Sequence, residues 1–188
     1  MELTPEQFAG EVDKWYWKWR NANSGYFSVE QQLTQKATNK GFLEMADLVA
    51  ITHVLGNPHN IRGRVQRENT NEQIKQKTQA AINNLHQPSK ALANLRGIRW
   101  WGGTYRTKTL RCVCPRNYAA LDSKLNKNIS ESYLKSKNEL RRYEEFLDLC
   151  KSIRQKVSTP GPRLNKEWFI ADIEMALFQF VWDGGKIV

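Results

Sequence analysis

Apolar residues recur along most of the chain with the spacing of an α-helix. The first stripe follows Thr4, which has a proline beside it and Gln7 three residues later, the pattern of a capping box that begins a helix. The stripe consists of Phe8, Val12, Trp15, Tyr16 and Trp19. This spacing places the side chains on one side of a helix. The pattern therefore predicts an amphipathic helix with an aromatic face turned to the core.

Similar signals predict six further helices. Ser28 with Gln31 has the pattern of a second capping box, and that helix is predicted to end near Lys40 and Gly41. The others are residues 43–55, stopped by Gly56-Asn57-Pro58; a helix opened by Asn69 with Glu72, with Ile74, Ala81, Ile82 and Leu85 inward; a short helix from Ser89; residues 138–157; and residues 166–182, capped by Asn165.

The last predicted helix has a different character from the rest. Twelve of the fifteen residues from 168 to 182 are apolar or aromatic, and a helix that is apolar nearly all round lies at the centre of a core. Asp172 and Glu174 interrupt it. Because a buried carboxylate without a partner is costly, each is predicted to pair with an arginine or to cap a neighbour. No segment shows a convincing period of two, so the sequence predicts an all-α fold and a single domain over residues 1–188.

Length and composition narrow the class of protein. With 188 residues, 40% of them hydrophobic, the chain has enough apolar side chains for a core, and global disorder is not expected. No stretch approaches the roughly 18 apolar residues of a membrane span, and the acidic, polar first residues do not form a signal peptide. Three cysteines are too few for a disulfide framework. We expect a cytoplasmic protein, nucleoid-associated if bacterial, with no membrane partner and a monomeric state.

Positive charge is concentrated in one part of the chain. The formal net charge is +10, and residues 73–130 carry eleven lysines and arginines but one carboxylate, Asp122. Such a distribution indicates a basic face for a polyanion, most often nucleic acid, and we expect duplex DNA. Two alternatives stay open, namely solvated helix faces and assembly with an acidic protein. The basic residues are Lys75, Lys77, Lys90, Arg96, Arg99, Arg106, Lys108, Arg111, Arg116, Lys124 and Lys127.

A glycine-rich loop lies inside this basic stretch, over residues 95–106, with a helix predicted on each side. Glycine allows the backbone to approach a ligand closely, and the unpaired N–H groups at the start of the following helix suit a phosphate. Trp100 and Trp101 could stack on bases, or pack the turn into the core, and for one of the two we expect the core. The residues expected to contact DNA are Arg96, Gly97, Arg99, Trp100, Trp101, Gly102, Gly103, Thr104, Arg106 and Lys124.

Residues 92–125 resemble the core of the helix–hairpin–helix DNA glycosylase superfamily. Leu95-Arg96-Gly97-Ile98 resembles the start of the hairpin, and Thr107-Lys108-Thr109-Leu110-Arg111 resembles the second helix. Residues 114–123 resemble the loop that ends in the catalytic aspartate of this superfamily. The resemblance implies a helix–hairpin–helix core at about residues 90–126, duplex DNA as the partner, and removal of an abnormal base by hydrolysis of its N-glycosidic bond.

The sequence also departs from the superfamily pattern. Arg99 occupies the place of the usual second hairpin glycine, and Lys108 lies about one turn beyond the nucleophilic lysine of bifunctional members. The resemblance therefore implies a monofunctional enzyme rather than one that cleaves the strand. The alternative is a binding module without activity, with a regulatory, structure-sensing or defence role. An iron–sulfur cluster on four cysteines is excluded because the chain has three.

The resemblance places Asp122 in the catalytic position. A carboxylate there would stabilise the positive charge that builds on the sugar as the base departs. The ordinary alternative is that Asp122 caps the following helix. Lys108 is the candidate nucleophile, with a solvated or phosphate-contacting role as its alternative. His53, His59 and His86 do not form a metal-ligand pattern, so we expect no metal and no cofactor.

Overall fold

The structure is all-α, as the sequence predicted. The computed structural model describes residues 1–56 and 58–188, and two short parallel strands, β1 (Glu2–Leu3) and β2 (Lys186–Ile187), pair in it. The helices described are α1 (Pro5–Ala9), α2 (Val12–Ala22), α3 (Tyr26–Lys40), α4 (Met45–Leu55), α5 (Ile61–Glu68), α6 (Asn71–Ile82), α7 (Pro88–Asn94), α8 (Gly103–Val113), α9 (Ser123–Asn128), α10 (Glu139–Lys156) and α11 (Ile170–Trp182), with 3₁₀ turns at Pro58–Asn60 and Leu95–Gly97.

Residue contacts divide the chain, predicted as one domain, into two compact units. Residues 1–24 and 115–188 form the first, which we call the flanking unit, and residues 25–114 form the second, the inserted unit. The segment 90–126, predicted as a helix–hairpin–helix core, contributes residues to both units. The glycine-rich loop belongs to the inserted unit and Asp122 to the flanking unit.

The core of the flanking unit forms where α11 packs along α2. The predicted aromatic face is confirmed, because all five of its side chains are buried. The ring of Phe180 contacts those of Phe8 and Trp15, with centroids 5.3 and 5.4 Å apart. The capping box at Thr4 is also confirmed. A break after Ala9 divides the predicted helix into α1 and α2.

The central position predicted for α11 is confirmed, since nearly every residue of the helix is buried. The buried carboxylate of Asp172 receives the Arg163 guanidinium, with Nη2 2.6 Å from Oδ1, and also accepts the Phe169 N–H at 2.9 Å. Glu174 accepts a bond from the Ala120 N–H at 3.4 Å. Asp172 therefore has both roles that the sequence offered for it.

The inserted unit is held together mainly by α3, which packs on α8 and α4, and by α6, which packs on α7. The hydroxyl of Thr34 on α3 donates to the Cys112 carbonyl of α8 at 2.8 Å. Gly41 ends α3 in the left-handed conformation, with φ of +73°, as predicted. Helix α4 ends at Leu55 with Gly56 as its C-cap, as predicted. Asn57 lies outside the described residues.

Several predicted helix starts are wrong. Helix α3 begins before Ser28, whose hydroxyl donates to the Gly25 carbonyl instead of capping. Thr70 with Gln73, not Asn69 with Glu72, forms the capping box of α6. Helix α7 begins one residue early, at Pro88, because proline suits the first position.

The start of α11 is four residues later than predicted. Lys166 has φ of +57°, a left-handed conformation that a helix cannot run through, so Asn165 caps nothing there. Ile82 and Leu85, predicted to face inward, are half-buried, because the helix that carries Ile82 ends at that residue.

Helix α5 and the two strands escaped prediction. Helix α5 has a single buried residue, Val65, so its sequence shows no apolar stripe from which a helix could be predicted. Each strand has two residues, which is too short for a period of two to be visible.

Candidate nucleic-acid interface

The glycine-rich loop joins two helices, as predicted. The 3₁₀ turn at Leu95–Gly97 follows α7, and α8 contains the whole segment 107–111 that resembled the second helix of the hairpin motif. Leu95 and Ile98 are buried and anchor the loop to the inserted unit. The loop between them and α8 therefore has a fixed base beneath its exposed residues.

Asn69 fixes the backbone of this loop from the end of α5. Its Oδ1 accepts the N–H of Arg99 at 2.8 Å, and its Nδ2 donates to the Arg99 carbonyl at 3.1 Å. The same Nδ2 donates to the Val65 carbonyl at 2.9 Å. One side-chain amide thus joins the C-terminal turn of α5 to the residue before Trp100.

Trp100 is the exposed aromatic residue of the loop. Its side chain is 49% exposed, and its φ of +64° lies in the left-handed region. The guanidinium of Arg64, on α5, lies 4.3 Å from the centre of its ring, a cation–π distance. A tryptophan with an exposed side chain, and not one of the glycines of the loop, therefore has the left-handed backbone.

Trp101 has the core role that the sequence left open for one of the two tryptophans. It is 2% exposed, its Nε1 donates to Thr109 Oγ1 at 2.9 Å, and its ring packs on Tyr105. Contact with a base, predicted for both residues, is therefore available to Trp100 and not to Trp101 in this structure.

Arginines surround Trp100. A shallow depression of about 540 Å³ lies beside it, and none of the residues that line it, all of them described, is acidic. Glu68 approaches from the rim, with Oε2 3.7 Å from Arg99 Nη1, but an exposed pair of this kind contributes little. The lining residues are Arg96, Ile98, Arg99, Trp100, Trp101, Gly102 and Arg106.

The glycines and Thr104 of the loop have backbone roles. Gly102 precedes α8 as its N-cap, Gly103 begins the helix, and the Thr104 carbonyl accepts the Thr107 hydroxyl at 2.9 Å. The first turn of α8 carries no acidic side chain. Gly97 leaves room for Lys77, whose side chain would collide with a Cβ at that position. Lys77 thereby adds a cation close to the turn.

Lys108, the candidate nucleophile, is held by backbone. Its Nζ donates to the Leu55 carbonyl at 2.6 Å and lies 5.0 Å from the centre of the Tyr105 ring. The Tyr105 hydroxyl donates to the Gly56 carbonyl at 2.6 Å, and burial raises the pKa of this hydroxyl. These two side chains tie α8 to the end of α4, and Lys108 could act as a nucleophile only after leaving this contact.

Asp122 caps a helix, the ordinary role that the sequence offered for it. Its Oδ1 accepts the N–H groups of Lys124 and Leu125 at 2.9 and 2.8 Å. Among the described residues, none donates to Oδ2. The ammonium of Lys124 lies 4.0 Å from the centre of the Trp182 ring, so that residue meets an exposed tryptophan of the flanking unit.

Sequence reasoning missed Arg64, Asn69 and Lys77 as parts of this surface. Lys77 was counted in the basic stretch but was not placed near the loop. Arg64 and Asn69 precede that stretch, and they reach the loop through contacts with residues 36 and 30 positions later in the sequence. A signal was available in Arg62, Arg64 and Arg67, which crowd three arginines into one short helix.

No family model, curated protein or solved structure matches this chain. In the part of the chain that the structure describes, no helix combines the length and apolar character needed to cross a membrane. Within the same residues, no group of three His, Cys, Asp or Glu side chains is placed to hold a metal ion.

Proposed function

We propose that this protein binds nucleic acid through the surface formed by Arg64, Arg96, Arg99, Trp100 and Arg106, which we call the Trp100 surface. One observation carries the proposal: a half-exposed indole is backed by one guanidinium, and three more arginines line the depression beside it, whose described lining has no carboxylate. Arginine and tryptophan together suit a ligand that is both anionic and aromatic, and nucleic acid has both properties.

The arginines would supply most of the affinity. Each guanidinium that neutralises a phosphate releases condensed counterions, so binding weakens as salt rises, with a slope of about −0.9 per phosphate on duplex DNA. Arg99 is 74% exposed in its side chain and reaches solvent beyond Glu68. Duplex DNA is the partner that the net charge of +10 and the resemblance to helix–hairpin–helix glycosylases support.

Fluorescence anisotropy with a labelled duplex, measured across a salt series, tests this proposal. We expect Arg96→Gln with Arg99→Gln to flatten the logarithmic salt slope by about 2. Arg141→Gln is the matched control, because it removes an exposed arginine from α10 in the flanking unit. Equal slopes for the double variant and the wild type, or no binding at low salt, would contradict the proposal.

A second candidate function is removal of an abnormal base by Asp122. It is supported by the position of this lone carboxylate at the end of the loop that resembles the superfamily, with Oδ2 taking no hydrogen bond from any described residue. An ionised carboxylate near the sugar would stabilise the oxocarbenium-like charge that forms while the base leaves. Water would then attack the sugar carbon and give an abasic site.

A panel of duplexes that carry uracil, 8-oxoguanine, methylated adenine or mismatches tests this second function. We expect base release from at least one of them by the wild type, and none by Asp122→Asn. Borohydride should trap no covalent complex, since Lys108 is bound to the Leu55 carbonyl. Salt-dependent binding without base release from any substrate would favour the alternative, a nucleic-acid-binding module without activity.

A further inference from the structure

We infer that the Trp100 surface takes one unpaired nucleobase, stacked on the face of the indole that Arg64 does not cover. The inference rests on the proposed binding of nucleic acid and adds the form of nucleic acid that the surface selects. The sequence did not indicate this selectivity. It depends on Arg64 and Asn69, which lie outside the basic stretch and were not linked to the loop.

The two faces of the indole have different surroundings. Arg64 lies over one face, 4.3 Å from its centre. Among the described residues, no second cation or aromatic ring lies over Trp100. About half of Trp100 is exposed, so the residue keeps accessible area for a planar ligand beside Arg64. An arginine behind a tryptophan makes a two-layer platform to which a base would add a third layer.

The platform is positioned before any ligand arrives. A left-handed conformation is unfavourable for a residue with a β-carbon, and such strain is kept where the surrounding structure enforces it. Here the bonds from Asn69 to both backbone groups of Arg99 enforce it from one side, and the bond from the Trp101 N–H to the Ile98 carbonyl, 3.2 Å, from the other. Ordering the tryptophan in advance lowers the entropy that binding would otherwise lose.

A paired base inside a duplex has no face to offer this platform, since its neighbours cover both sides. A bulged, flipped or single-stranded base does, and stacking on tryptophan is tolerant of which base it is. Arg96 and Arg99 border the depression beside the ring, where they can meet the phosphates on either side of that base. The volume of about 540 Å³ is within the usual range of about 300–1,000 Å³ for small-ligand sites.

Two hairpin duplexes with the same stem sequence, each closed by a non-nucleotide linker, test the inference: one is fully paired and the other carries a single additional, bulged 2-aminopurine. We expect the wild type to bind the bulged hairpin about tenfold more tightly and to quench the 2-aminopurine fluorescence. Trp100→Leu should remove both effects, so that the two hairpins bind with equal affinity and the 2-aminopurine is not quenched. Trp100→Phe should keep part of the preference, which separates loss of the ring from misfolding of the loop.

Trp182→Leu is the matched control, because Trp182 is also an exposed tryptophan with a cation over its ring, and its loss should leave the preference intact. Equal affinity for the two hairpins, or a preference that survives Trp100→Leu, would overturn the inference and leave nucleic-acid binding standing. Failure to bind either hairpin at low salt would overturn both. The same pair made of RNA identifies which sugar the surface accepts.

Discussion

The side-chain amide of Asn69 holds the backbone of Arg99 from both sides, accepting its N–H at 2.8 Å and donating to its carbonyl at 3.1 Å. We expect Asn69→Ala to lower the free energy of unfolding by about 1–2 kcal/mol, because two backbone groups lose their partner. It should also weaken binding to nucleic acid, since the loop is no longer held. Urea denaturation and anisotropy measure the two effects.

Asn94→Ala is the comparison for this variant. Asn94 precedes the loop and donates to the Ala80 carbonyl of α6 at 3.0 Å, so its removal costs a similar side-chain-to-backbone bond without touching the backbone of Arg99. It should reduce stability without weakening binding. If both variants weakened binding equally, Asn69 would have no specific role in positioning the loop.

The left-handed backbone of Trp100 gives a second prediction. Alanine at this position keeps the unfavourable φ of +64°, whereas glycine adopts it without strain. We expect Trp100→Gly to be more stable than Trp100→Ala by about 1 kcal/mol in urea denaturation, although both variants lose the ring. Alanine as stable as glycine would mean that the loop has another conformation in solution.

Capping and catalysis by Asp122 can be separated by two substitutions. Asparagine is as good an N-cap as aspartate, so Asp122→Asn should keep the stability of the wild type, whereas Asp122→Ala should lose about 1 kcal/mol. Thermal unfolding measures this difference, with Asn138→Ala at the N-cap of α10 as the reference for a lost cap. Base release that disappears in the asparagine variant then reflects chemistry and not folding.

The ion pair beneath α11 is expected to be the most sensitive point of the flanking unit. Asp172 is completely buried, and Arg163 reaches it through Nε and Nη2. Arg163→Leu removes this guanidinium from a buried carboxylate, so we expect a loss of about 3–5 kcal/mol in the free energy of unfolding. Adding Asp172→Asn should recover part of the loss, because the amide oxygen can still accept the Phe169 N–H. A double variant no more stable than Arg163→Leu would contradict this explanation.

Ionisation of Tyr16 is expected to make the free energy of unfolding depend on pH in the alkaline range. Burial, with the nearby charge of Asp172, raises its pKa to about 12, whereas the unfolded chain ionises near 10. The stabilising contribution is therefore complete below pH 10 and lost between pH 10 and 12, as the unfolded state releases its proton first. The free energy of unfolding should fall less across this interval in Tyr16→Phe than in the wild type, by about 1–2 kcal/mol. This figure includes a reduction for solvent screening, because Arg20, which donates to the Tyr16 hydroxyl, is only half-buried. Urea titrations at pH 9 and pH 12 measure the difference.

The features that the sequence predicted correctly depend on interactions between residues that are close together in the chain. The capping box at Thr4, the left-handed end at Gly41 and the buried character of α11 depend on neighbouring residues, and all three predictions are confirmed. The start of α11 was wrong because Lys166 is left-handed and Phe169 is extended, and the apolar pattern does not indicate either backbone conformation.

The candidate site was only partly predictable for the same reason. The loop and its arginines are adjacent in sequence and could be identified from composition. Asn69 contacts Arg99 across 30 residues and Arg64 contacts Trp100 across 36, and no local pattern encodes such contacts. The division of roles between Trp100 and Trp101 could be expected, but which of them is exposed depends on the φ of one residue.

The parallel pairing of β1 with β2 has a consequence for how the protein is made. Glu2 lies opposite Lys186, so β1 is synthesised well before the strand with which it pairs. The inserted unit, by contrast, is complete once residue 114 has emerged. Synthesis therefore offers residues 25–114 an early opportunity to fold, while residues 1–24 must wait, with their aromatic stripe uncovered, until residues 115–188 have been made.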